Sequence, residues 1–77
     1  MAVREIHAIK RLQNSVNGNP RLEVRFVGEL GPHRTMRDSQ AGLNAASTLA
    51  ANPPDAQGVK VDVQFGDGEI IGWEEVR

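Results

Sequence analysis

Apolar and polar residues alternate without a break through RLEVRFV, positions 21–27. Leu22, Val24 and Phe26 share one face, while Arg21, Glu23 and Arg25 share the other. A period of two is that of a strand with one face buried. VKVDVQF, positions 59–65, repeats the pattern, with Val59, Val61, Val63 and Phe65 set against Lys60, Asp62 and Gln64. Gly66-Asp67-Gly68 then separates this run from EIIGWEEV. Asp-Gly between apolar runs predicts a tight hairpin, because glycine supplies the positive φ that such turns require. Gly72 inside the last run predicts a bulge or a close backbone approach.

Between the two alternating runs, GELGP (28–32) predicts a turn and positions 33–37 a short third strand. DSQAGLNAASTLAAN then predicts a helix, with Asp38 or Ser39 capping its first N–H groups. Leu43, Ala46, Leu49 and Ala50 form its apolar stripe, and Asn52 before Pro53-Pro54 ends it. The N-terminal run VREIHAIKRLQ is ambiguous. Val3, Ile6, Ile9 and Leu12 recur every three residues, which suits neither a flat strand nor an ideal helix. Residues 3–13 fit a helix stopped near Gly18, or a bulged strand pairing with 21–27 through NSVNGNP; the strand is the reading adopted. The resulting order, β-β-β-α-β-β, predicts a single α+β domain over residues 1–77. Its expected form is a strongly curved antiparallel sheet or an OB-like small barrel with one helix.

A chain of 77 residues builds one hydrophobic core, and a domain of this size has a net stability of only about 3–5 kcal/mol, so self-association would help it. With no cysteine, disulfides and thiolate chemistry are excluded. No segment approaches the roughly 20 apolar residues of a membrane span, and the first ten residues lack a signal-peptide run. The expectation is a soluble, cytoplasmic protein. The net charge of −1 conceals an asymmetry: residues 1–37 carry seven Lys/Arg against three Asp/Glu, and residues 38–77 carry two against seven. Such halves suit a basic face for nucleic acid, head-to-tail self-association, or simple solvation of outer strand faces, the last being favoured.

Candidate chemistry is sparse. NSVNGNP is explained as a turn, since Asn and Gly tolerate left-handed backbone and Pro20 fixes φ where a strand begins. Its functional alternative is an anion-gripping loop charged by Arg21. His7 and His33 have no carboxylate or second ligand at metal spacing, Asp62, Asp67 and Glu69 lack the spacing of a calcium loop, and Ser15, Ser39 and Ser47 have no nucleophile pattern. His33 and Asp38 within HRTMRDS do not amount to a triad. No catalytic, cofactor or metal residue is expected, and an enzyme is not expected. For nucleic acid, Arg21 and Arg25 share a strand face, with Arg4, Lys10, Arg11, Arg34 and Arg37 in the same half of the chain. Single-strand binders add exposed aromatics on which bases stack; of Phe26, Phe65 and Trp73 only Trp73 is a candidate, and a core or interface role is favoured for it.

NGNPR-LEVRF, HRTMRDSQAGLN and VKVDVQF-GDGEIIGW together resemble a family of small accessory proteins encoded by phages of actinobacteria. Asn17, Gly18, Asn19, Pro20 and Arg21 match its connection, and Thr35 and Asp38 its middle segment. The alanine-rich helix departs from the pattern, where an aromatic residue is expected. The resemblance implies action in the cytoplasm of an infected bacterium, in some cases harmful to the host, and it transfers no catalytic residue. The leading expectation is a non-enzymatic module binding a host or phage protein, through a sheet edge or the Trp73 region. Its candidate face is Arg21, Arg25, Arg34, Arg37 and Trp73. The alternatives are a nucleic-acid-binding barrel using the basic half and a structural homo-oligomer.

Overall fold

The structure, a computed structural model, describes residues 2–76. Five strands and one helix follow in chain order: β1 (Ala2–Arg11), β2 (Leu22–Phe26), β3 (His33–Thr35), α1 (Gln40–Ala51), β4 (Lys60–Gly66) and β5 (Glu69–Glu75). The strands close into a barrel in the order β1-β2-β3-β5-β4, with β4 returning to β1. All pairings are antiparallel except β3 with β5. This is the small OB-like barrel with one helix that the element order implies.

The N-terminal run is a strand in which Val3 is exposed and Leu12 lies beyond the end, and the three-residue step from Ile6 to Ile9 has a geometric cause. Ile6 opposes Phe26 and Ala8 opposes Arg25, which leaves His7 as an extra residue in the ladder. A bulge of this kind shifts the pleat by one position, so Ile6 and Ile9 are both buried although three residues apart. It also bends the strand. Ala2–Glu5 pairs with β4 while Ile6–Arg11 pairs with β2, and one long strand thereby closes the barrel.

The β4–β5 hairpin turns through Asp67 and Gly68, at φ 52° and 78°. Two central residues in left-handed backbone make the type I′ turn that matches strand twist. Beyond it the register slips between Gln64 and Phe65, and a Cβ on Gly72 would lie 3.0 Å from the Gln64 Cβ. Bulge and close approach therefore both occur there.

The core is supplied mainly by strands: Ile6, Leu22, Val24, Phe26, Val61, Val63, Ile70 and Trp73 are buried. Each large side chain of this kind contributes about 1.5–3 kcal/mol by burial, far more than an alanine of α1. The helix bears out half of the expected stripe, since Ala46 and Leu49 pack against the core, but its most buried residues lie to one side of it. Ala41, Gly42, Ala45 and Thr48 are buried, whereas Leu43 is 43% exposed and Ala50 faces solvent. Two contacts set this phase. A Cβ at Gly42 would collide with the Pro20 carbonyl oxygen, so the helix lies directly under the β1–β2 connection. At the other end, Trp73 Nε1 donates to Thr48 Oγ1 at 3.0 Å.

Candidate binding face and the loop that frames it

The connection between β1 and β2 is more than a turn. Ser15 N donates to the Asn19 carbonyl at 2.9 Å and Gly18 N to the Ser15 carbonyl at 2.9 Å, with Gly18 at φ 82°. This internal turn presents three side-chain donors to one carboxylate, that of Asp38. Ser15 Oγ donates to Asp38 Oδ1, as does Asn19 Nδ2 at 3.1 Å, and Asn17 Nδ2 donates to Oδ2 at 2.9 Å. Asp38 itself has φ 52°, a conformation that Asp and Asn tolerate better than other side chains. The division of labour at the start of α1 follows. Ser39, not Asp38, is the N-cap; its Oγ accepts from Gly42 N and donates to the Met36 carbonyl. Asp38 is thereby free to hold the loop.

The hydrogen bonds from Ser15 and then Asn19 hold the Asp38 carboxyl below its ordinary range. Desolvation opposes them, and Asn17 and then the Arg37 charge add smaller lowering contributions. Donors that favour the ionised form act in this direction. A second tie lies close by: Leu22 N donates to the buried Thr35 Oγ1 at 3.1 Å. The sequence marks Thr35 as a motif position and Asp38 as a motif position and candidate helix cap, whereas their hydrogen-bond partners lie in the β1–β2 connection and at the start of β2.

The candidate arginines are distributed as follows. Cross-strand register places Lys10 opposite Glu23, Glu23 opposite Arg34, and Arg34 opposite Glu69. The outer surface of β1, β2, β3 and β5 thus carries a row of alternating charge. Arg34 Nε lies 3.5 Å from Glu23, and Arg21 Nη2 lies 3.6 Å from Glu69. Exposed pairs of this kind are worth about 0–1 kcal/mol each, but they neutralise the face. Arg25 is exposed on the same surface, and among the described residues neither Arg25 nor Arg37 forms an ion pair. Arg21 and Arg37 meet at a cleft of about 280 Å³ beside Gln13–Val16. Arg21 Nε is buried without a hydrogen-bond partner, a state that costs roughly 1–3 kcal/mol for a polar group.

Trp73 does not belong to this face. It is 5% exposed, its indole N–H is satisfied by Thr48, and its carbonyl accepts from Asn44 Nδ2 at 2.9 Å. Ile71 and Val76 are exposed, and Trp73 lines the groove beside α1 together with Val76, away from the arginines. The barrel is closed, β3 pairs with β5 only at Glu69 and Ile70, and α1 packs along the flank of β5.

His33 also departs from expectation. Its Nε2 lies 3.1 Å from Glu29 Oε2, and Arg4 Nε donates to Glu29 Oε1 at 2.8 Å. The imidazole packs 4.8 Å from Phe65 and 5.9 Å from Phe26, between centroids. This bridge ties β1, the 27–32 turn and β3 together. The acidic residues near the last hairpin do not converge. Asp67 is exposed at the turn, Glu69 serves Arg21, and Asp62 lines an open groove of about 850 Å³ between α1 and β5 with Glu74 and Glu75. Among the described residues no three of His, Asp and Glu gather as a metal-binding group, and no helix is long and apolar enough to cross a membrane. Each serine hydroxyl makes a structural bond: Ser15 to Asp38, Ser39 to Met36 and Ser47 to the Leu43 carbonyl.

Comparison with known proteins returns no matching family model, no matching curated protein and no matching solved structure.

Proposed function

We propose that this chain is a non-catalytic protein-binding module, an accessory protein of an actinobacteriophage that engages a host or phage protein in the bacterial cytoplasm. The observation that carries the reading is the alternating row Lys10–Glu23–Arg34–Glu69. A nucleic-acid strand is held by an unbroken positive track and by aromatics on which bases stack. Here carboxylates interrupt the track. Phe26 and Trp73 are buried and Phe65 packs against the core. A protein surface of complementary pattern reads both signs, and such complementarity sets partner choice and register.

The phage assignment rests on the resemblance at Asn17–Arg21, Thr35 and Asp38. Asn17, Asn19 and Asp38 meet in one hydrogen-bond cluster, so they serve architecture, and a motif of that kind marks kinship without marking a reaction. A low-salt mobility-shift titration with single-stranded and duplex DNA tests the reading against its nucleic-acid alternative. No saturable shift is expected. A shift whose affinity falls steeply with added salt would transfer the function to nucleic-acid binding.

A further inference from the structure

Arg21 and Arg37 come from different parts of the chain, the start of β2 and the β3–α1 junction. They face one cleft of about 280 Å³ walled by Gln13, Asn14, Ser15 and Val16. A third cation stands beside it, since Arg11 Nη2 donates to Asn14 Oδ1 at 3.4 Å. The carboxylates of the protein itself engage the two cleft arginines only weakly. Asp38 accepts its hydrogen bonds from Ser15, Asn17 and Asn19, and the Arg37 charge acts on it only as the smallest of its influences, without an ion pair. Glu69 reaches Arg21 only through Nη2, at 3.6 Å, and Arg21 Nε stays buried with no acceptor. The loop that forms the wall is held in shape by the Asp38 hydrogen bonds, so the arrangement is organised before any ligand arrives. Preorganisation of this kind lowers the ordering cost of binding.

We infer that the Arg21–Arg37 cleft is an anchoring site for a carboxylate, and that it takes an aspartate or glutamate side chain of a partner protein. This rests on the reading of the chain as a protein-binding module and names the chemistry of its partner. Guanidinium groups present planar forks of donors that match a carboxylate. The surface beyond the cleft selects a single acidic side chain over a polyphosphate chain, because Glu69 and Glu23 stand next along the sheet and break any phosphate track.

The test is an NMR titration of the full chain with a short amidated peptide carrying one glutamate between neutral residues, N-acetyl-Gly-Glu-Gly amide, at low salt, following backbone amides and arginine Nε–H signals. Saturable shifts confined to Gln13–Val16, Arg21 and Arg37 are expected. Arg37→Gln alters only an exposed side chain and should weaken binding about 3- to 5-fold, the order of one solvent-exposed ion pair. Arg21→Lys keeps the charge but removes the fork, and should weaken it as well. Unsaturable shifts spread over all arginines, or an unchanged affinity in Arg37→Gln, overturn the proposal. So does a ten-nucleotide oligothymidylate that moves the same signals at lower concentration, which would assign the cleft to phosphates. If a partner protein is retained equally by the native chain and by Arg37→Gln, the cleft assignment falls while the binding-module reading stands.

Discussion

At position 38 an aspartate in left-handed backbone gathers donors from Ser15, Asn17 and Asn19. The consequence for stability follows from the direction of its shift. A carboxyl held below its ordinary value stabilises the fold fully above the unfolded pKa of about 3.9, and that contribution is lost as pH falls through the lowered folded value. Asp38→Asn keeps the backbone tolerance, but it offers one acceptor oxygen and turns a donor toward the loop amides. The native chain should therefore have the higher urea midpoint at neutral pH, and the gap to Asp38→Asn should close as pH falls below about 4. A gap independent of pH would remove the ionised carboxylate from this role. None of this was legible in the sequence. The three donors lie 19 to 23 residues from Asp38, and polar residues in two separate loops carry no periodicity that pairs them. The asparagines and Gly18 were readable as turn formers, which they are, and Arg21 as the charge beside them.

The legibility of each element depended on how much contrast its pattern carried. β2 and β4 alternate large apolar and charged residues, so one face was unambiguous. The β4–β5 turn was readable because Asp-Gly has few backbone choices. In β1 the bulge at His7 turned a period of two into a step of three from Ile6 to Ile9, and only pairing with both β2 and β4 resolves it. α1 was half legible, because Ala46 and Leu49 do pack against the core while Leu43 and Ala50, of the same residue types, are exposed. Its orientation is decided by Gly42 under Pro20 and by Thr48 against Trp73, contacts that hydropathy does not encode. The Thr48–Trp73 bond can be tested on its own. Thr48→Val keeps the shape and leaves the indole N–H buried without an acceptor, and should cost about 1–3 kcal/mol in chemical denaturation. Thr48→Ser keeps the hydroxyl and should lose only about 0.8 kcal/mol, the worth of one methyl group. Equal losses in the two variants would show that the hydroxyl does not matter.

For the molecule as a whole, the strands close into a barrel, and Phe26, Phe65 and Trp73 pack in or against its core. The proposed binding role therefore rests on charged side chains of the outer sheet. The charge asymmetry of the sequence survives in part. The arginines collect around β2, β3 and the β1–β2 loop, while Asp62, Glu74 and Glu75 line the groove beside α1. Their partners, Glu23 and Glu69, could not be matched to them without the register of the barrel. The most direct measurement is retention of proteins from a host lysate on the immobilised chain, compared with Arg25→Glu/Arg34→Glu and with Glu74→Lys. One protein should be held by the native chain and by Glu74→Lys, and lost with the two arginines. Retention of nothing specific by the native chain, or equal retention by the arginine-reversed variant, would contradict a protein-binding role for this face.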